Sequence, residues 1–357
     1  MRTVKLLPIA IGLALGLGAV LYAQEGTPYI FHTYSNLIQI PVLALDEHHQ
    51  AIRPDIPLKF DVSIDSGPPF PAPHVRLEGD DPISLAILLD MSGDQNDIIS
   101  SLDVAIASLA PHFLLPQDHV SVYAVDCRLV RTAIDIPADA SQLKSAVDAA
   151  VHSPLIHGPN KTHAACGRSL KVWDALSYVT SQLSSQPGRR VILAITAGHD
   201  KGSAHSWKDL KDYADNMGVA IFGLADVFDV VNVPYGVSAG SPTDSRYKGY
   251  EDNFQMLCEL SGGSAETMNQ RNLLGRLTDF ITALRTRYIV EFPRPDALSK
   301  GPHSFLVTVA DPHYFIRPAG ISLPIADPAI LADPSTLPSD PSHAPVVGNR
   351  KILVPAH

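Results

Sequence analysis

Ile83-Ser84-Leu85-Ala86-Ile87-Leu88-Leu89-Asp90 is the stretch on which the fold turns. A nearly continuous apolar run closed by a carboxylate reads as a strand buried on both faces. Beyond it, Ile98, Ile99, Leu102, Ala105, Ile106 and Leu109 recur at helical spacing. His119–Val125 is strand-like, Ala140–Val151 and residues 170–184 are helical, and residues 191–195 form another buried strand behind Arg189 and Arg190. Residues 206–217 read as a helix and 219–224 as a further buried strand. Leu273, Leu274, Leu277, Phe280, Ile281 and Leu284 repeat the spacing of the first helix. Strands alternating with helices of about 12–16 residues imply βαβ units. The expectation over residues 82–287 is an α/β domain with a doubly wound, mostly parallel sheet.

Flanking β strands are expected before and after it. Residues 29–81 carry short β-like runs (29–40 and 57–64) broken by clusters such as Gly67-Pro68-Pro69. Residues 288–323 carry two more, at 288–292 and 304–309. In the last 34 residues, 324–357, seven are proline, so that tail reads as extended or disordered. At the other end, Arg2 and Lys5 precede an apolar run of 16 residues, Leu6 to Leu21, with Ala23 as a cleavage residue. Residues 1–24 therefore read as a secretory signal, although Leu21 is large for the position it would occupy. Retention as an anchor is the alternative, and only then would a membrane be a partner; about 20 residues are needed to span one. The expected location is exported: periplasmic, cell surface or secreted.

Composition narrows the function. Of 357 residues 45% are apolar, enough for a sizeable core, and the net charge is −10. Nucleic acid is excluded as a partner, since nothing resembles a basic patch beyond the pairs Arg189-Arg190 and Arg285 with Arg287. The three cysteines, Cys127, Cys166 and Cys258, match no zinc spacing. They fit one disulfide plus a free thiol, or three buried thiols.

In an open parallel sheet ligands bind beyond the carboxyl ends of the strands. After the first buried strand comes Asp90-Met91-Ser92-Gly93-Asp94-Gln95-Asn96-Asp97. Its three carboxylates would repel phosphate, so a nucleotide is excluded, whereas hard oxygen ligands suit Mg²⁺, Ca²⁺ or Mn²⁺. The competing reading needs no ion: Asp94 caps the following helix, Asp97 favours its first turn, and Asp90 caps the same turn.

Asp90-Met91-Ser92-Gly93-Asp94 resembles the D-x-S-x-S opening of the von Willebrand factor type A (VWA) domain. Val172-Trp173-Asp174-Ala175-Leu176 is similar to that family's third-helix segment, and Ile195-Thr196-Ala197-Gly198-His199-Asp200 to its T-D-G-x-D loop. The closing stretch Leu257-Cys258-Glu259-Leu260-Ser261-Gly262-Gly263, with Leu284-Arg285-Thr286-Arg287-Tyr288, resembles an exported bacterial VWA-related subgroup with flanking strands. The resemblance implies a metal-ion-dependent adhesion site (MIDAS) at the top of the sheet. It also implies a bound cation that offers an open position to a partner's carboxylate. The site is degenerate here. The second Ser is Asp94, the Thr position is Leu170 with Ser169 one residue off, and the T-D-G aspartate is Ala197. Candidate metal ligands are Asp90, Ser92, Asp94, Ser169 and Asp200, holding Mg²⁺, Ca²⁺ or Mn²⁺ or no ion at all. In a VWA-like fold Cys127 and Cys166 would approach one rim, which implies a disulfide between them.

The expected function is a protein-binding module for adhesion or assembly. Without the ion, binding would fall to the long loops 154–168 and 228–251. The alternative is a structural scaffold of the cell envelope with no metal site. Enzyme activity is not expected. Gly236-Val237-Ser238-Ala239-Gly240 matches the hydrolase nucleophile elbow, but Pro234 before it and Pro242 after it deny the strand and helix that motif needs.

Overall fold

The structure, a computed structural model, describes residues 33–34, 37–52, 56–92, 96–99, 101–153, 170–186, 188–196, 198–225, 253–295, 301–320, 322–323, 336–337 and 345–348. The chain divides into two compact units, Met1–Asn36 with Ala326–Ser339, and Leu37–Ile325 with Asp340–His357. In the first, Thr33–Tyr34 pairs in parallel with Thr336–Leu337. The signal segment, the Gly236–Gly240 motif and both long loops lie outside the described residues.

The second unit begins with β1 (Leu37–Leu45), β2 (Phe60–Ile64) and β3 (His74–Leu77). Its central sheet comprises β4 (Ile83–Asp90), β5 (His119–Val125), β6 (Leu129–Pro137), β7 (Arg189–Ile195), β8 (Val219–Ala225) and β9 (Ala265–Thr267). The spatial order is β9-β8-β7-β4-β5-β6, and only β6 runs antiparallel to its neighbour. This is the expected doubly wound α/β sheet.

Every residue of β4 and β8 is buried, as their unbroken apolar runs require. Successive side chains of β4 supply two cores. Leu85, Ile87 and Leu89 pack with α1 (Leu102–Ala107), α2 (Ala140–Val151) and a later helix, α6 (Leu273–Arg285). Ala86 and Leu88 face α3 (Val172–Leu183), α4 (Trp207–Met217) and α5 (Asn253–Leu260). A single turn, Asn96–Ile99, precedes α1, and Ile98, Ile99, Leu102, Ala105 and Ile106 are all buried as their spacing predicts.

β6 is an addition to the sequence reading. It is an edge strand, half-buried along much of its length, so it lacks the apolar run that marks its neighbours. The flanking segments, 200 residues apart in sequence, come together in one β module. β10 (Tyr288–Pro293) pairs antiparallel with both β1 and β3, β12 (Phe315–Pro318) pairs with β1, and β11 (Phe305–Val309) pairs with β2. Ile38, Ile40, Val42 and Ala44 of β1 enter the core between these small sheets, while Leu43 and Leu45 enter the core of the α/β domain. β1 therefore belongs to both. In the proline-rich tail, the Gly348 amide donates to the Ile64 carbonyl at 3.0 Å and Val347 packs against the β module.

Where the β module meets the amino ends of the central strands, ion pairs gather. The Arg287 guanidinium donates to both oxygens of Glu78 at 2.7 Å, with side chains 1% and 0% exposed. Arg285 donates to Asp118, which also accepts from the Ile83 and Leu115 amides. Arg189 reaches Asp81 at 3.4 Å. Arg189, Arg285 and Arg287, three of the four arginines that come nearest to a basic patch in the sequence, are thus paired with carboxylates inside the fold. Among the described residues no helix is long and apolar enough to cross a membrane.

Candidate functional site

The sheet order reverses direction between β4 and β7, and the crevice beyond their carboxyl ends is where such sheets take ligands. Register pairs Leu89 with Ile195, which puts the next residues, Asp90 and Thr196, side by side. Both are buried, at 2% and 1% exposure. The Thr196 hydroxyl donates to Asp90 Oδ2 at 2.7 Å, and the Ser92 amide donates to Asp90 Oδ1 at 3.0 Å. The Met91 amide, on the Val125 carbonyl at 2.8 Å, holds this turn against β5. Thr196 in turn accepts the Gly198 amide at 3.0 Å. Gly198 has φ +76°, and a Cβ there would stand 2.3 Å from Cβ of Phe254, so no other residue fits.

Ser92 is the exception in this network. Its hydroxyl oxygen is buried and has no hydrogen-bond partner among the described residues. Leaving such a group unpaired costs about 1–3 kcal/mol, and native folds keep few of them. The geometry therefore brings together Asp90 and Ser92 of the sequence candidates, and adds Thr196. Thr196 escapes a single-strand reading because its role appears only once two strands about 100 residues apart are set in register.

Asp200 sits apart from that pair in its bonding. Its Oδ1 accepts the Trp173 amide at 3.1 Å and the Ser203 hydroxyl at 2.6 Å, and Oδ2 accepts the Ser203 amide at 3.3 Å. It caps α3, whose own N-cap residue, Lys171, supplies no side-chain bond. The loop is tied down further by a bridge between Leu170 and Lys201. Asp174 accepts from the Ala204 amide at 3.0 Å and from the His205 ring at 3.0 Å. Partial burial pushes the Asp174 carboxyl up, but these bonds from Ala204 and His205 outweigh it and hold the group below its ordinary value. Asp94, Ser169, the Asp97 side chain and Ala197 lie outside the described residues. Among the described residues no group of three His, Cys, Asp or Glu side chains is placed to hold a metal ion.

Next to Asp174 a cleft of about 480 Å³ is lined by Arg128, Arg131, Lys171 and Tyr178. Its rim includes Cys127, which is disulfide-bonded. Cys258 is a buried free thiol. Cys166, the third cysteine, lies outside the described residues.

No protein-family model matches the chain, and no curated protein matches it. Among solved structures it is similar to proximal thread matrix protein 1 (PTMP1) from the mussel byssus, at 12% identity and a TM-score of 0.41, over 62% of this chain and 51% of that one. A structure of PTMP1 described as having a zinc-occupied MIDAS motif aligns at 10% identity and a TM-score of 0.38, over 58% and 50%. The conserved hypothetical protein BatB from Bacteroides thetaiotaomicron aligns at 13% identity and a TM-score of 0.38, over 57% of this chain and 98% of that one. The chain spans about half the length of the mussel protein. Likenesses this distant assign no residue a role.

Proposed function

We propose that this chain is an exported protein-binding module of the VWA type, with a weakened divalent-cation site at the carboxyl end of its sheet. The observation that carries the reading is the buried Ser92 hydroxyl without a partner, two residues from the buried Asp90 carboxylate. A hard cation would take that lone pair and one from Asp90. Thr196 would orient the carboxylate. Asp94 and Ser169 are the remaining candidate ligands, and Asp200, bonded to α3, would act through water. When bound, Mg²⁺, Ca²⁺ or Mn²⁺ would supply a coordination position for a partner's carboxylate. The adjacent cations Arg128, Arg131 and Lys171 suit an acidic partner surface. Export rests on the basic and apolar start of the sequence. The role is binding rather than catalysis.

Calorimetric titration of the chain with each of the three ions tests this. Saturable heat that disappears in Asp90→Ala is the expected result. No heat with any ion would overturn the cation site and favour an envelope scaffold.

A further inference from the structure

A groove lies at the amino end of the sheet, away from the Asp90 face. It has a volume of about 320 Å³ and is lined by residues 37–41 of β1 together with Arg190 and Asn216. Five consecutive residues of β1 line it. The face of a strand presents only alternate residues, so the groove follows the backbone edge of β1. On this edge β12 pairs with residues 42–45, and the Ala319 amide adds a hydrogen bond to the Pro41 carbonyl at 2.8 Å. From residue 40 back to 37, among the described residues, β1 pairs with β10 on its opposite edge alone.

Two polar groups beside this edge are incompletely used. Among the described residues, Asn216 Oδ1 is buried and accepts no hydrogen bond. Arg190 donates from Nε to the Gln186 carbonyl and from Nη1 to the Met217 carbonyl, each at 2.9 Å. It has no carboxylate among its described partners. Burial lowers its pKa, and no nearby anion offsets the lost water. Its neighbour Arg189 differs, because Asp81 partners it.

An open strand edge, an acceptor lacking an N–H and a half-buried cation lacking an anion together describe one ligand chemistry. We propose that this groove binds an extended, carboxylate-bearing peptide segment of a partner protein. The segment adds as a strand along residues 37–40, giving a backbone N–H to Asn216 and a carboxylate to Arg190.

Fluorescence anisotropy of the full chain with a short labelled peptide of alternating Val and Glu tests this. Saturable binding is expected, with slowed amide hydrogen exchange in residues 37–40 and no binding of the matching Val-Lys peptide. Arg190→Gln should weaken binding about tenfold, as loss of a charge-assisted pair does. Arg190 also ties two carbonyls, so Asn216→Ala provides the variant that breaks no bond of the fold, and it should weaken binding about threefold to tenfold. Arg271→Glu, a larger charge change on an exposed residue at the opposite end of the sheet, should leave affinity within about twofold. The proposal is overturned by absence of binding, by equal loss in Arg271→Glu and Arg190→Gln, or by binding that leaves exchange in residues 37–40 unchanged. None of these results depends on whether a cation binds at Asp90.

Discussion

The two ends of the central sheet treat their buried polar groups in opposite ways. At the amino end Glu78 and Arg287 satisfy each other through two bonds, and Asp118 accepts from Arg285 and two backbone amides. At the carboxyl end Asp90 is held by Thr196 and Ser92, yet the Ser92 hydroxyl is buried with nothing to bond. The saturated end does structural work at the junction of the β module and the α/β domain. At the unsaturated end, the idle Ser92 hydroxyl is the group the proposed cation would take. The amino end has its own exception in the groove beside Arg190, and there too the unused groups mark a candidate site.

The largest effect expected from breaking this contrast is at the saturated end. Arg287→Met leaves the Glu78 carboxylate buried without a cation, and should lower unfolding free energy by about 3–5 kcal/mol. Urea unfolding measures it, and pairing the change with Glu78→Leu should restore most of the loss. A drop below about 1 kcal/mol would place this pair with exposed salt bridges in energetic terms.

Asp215 sharpens the comparison through pH. It is 3% exposed at the end of α4, with Lys211 Nζ at 3.0 Å. Burial, only partly offset by Lys211, pushes its carboxyl up to about 6. Because the folded value exceeds the unfolded one, its contribution to stability is full below about pH 4 and is lost as pH rises through 6. Asp215→Asn should therefore raise the melting temperature at pH 8, by up to about 3 kcal/mol in free energy, and change little at pH 4. Thermal unfolding across that range checks the sign.

A smaller effect is expected at the carboxyl end. Thr196→Val removes the hydroxyl that donates to Asp90 and should cost about 1–3 kcal/mol, because a buried acceptor loses its partner. Ser92→Ala removes a buried oxygen that bonds to nothing among the described residues, so in ion-free buffer it should cost no stability and should raise it by up to about 1–3 kcal/mol. Urea unfolding of the two variants side by side separates a working hydroxyl from an idle one.

Much of this architecture is legible in the sequence, for identifiable reasons. β4, β7 and β8 announce themselves because strands buried on both faces need unbroken apolar runs, and Ile98 to Ile106 mark the first helical face because only one side of it is buried. Asp90 stands out as the first polar residue after such a run. β6 does not, because an edge strand carrying Arg131, Thr132 and Asp135 has little apolar surface to pattern. The joining of β1 to β10 is invisible for another reason, since nothing local links residue 40 to residue 290. Arg287 conceals its role as well: an arginine reads as a surface residue until Glu78 is placed against it. At the site, Asp90 and Ser92 follow from local sequence, whereas Thr196 requires the register of β4 against β7.

The most direct test of the unsaturated carboxyl end is the ion dependence of unfolding, measured in urea for the parent chain and Ser92→Ala with and without Mn²⁺. Ligand that binds only the folded state adds about 2.7 kcal/mol at a hundred times its Kd. The parent chain should gain stability of that order in saturating Mn²⁺, while Ser92→Ala, no less stable than the parent without the ion, should gain far less. Equal gains in both proteins, or no gain in either, would contradict the assignment of Ser92 and Asp90 to a cation.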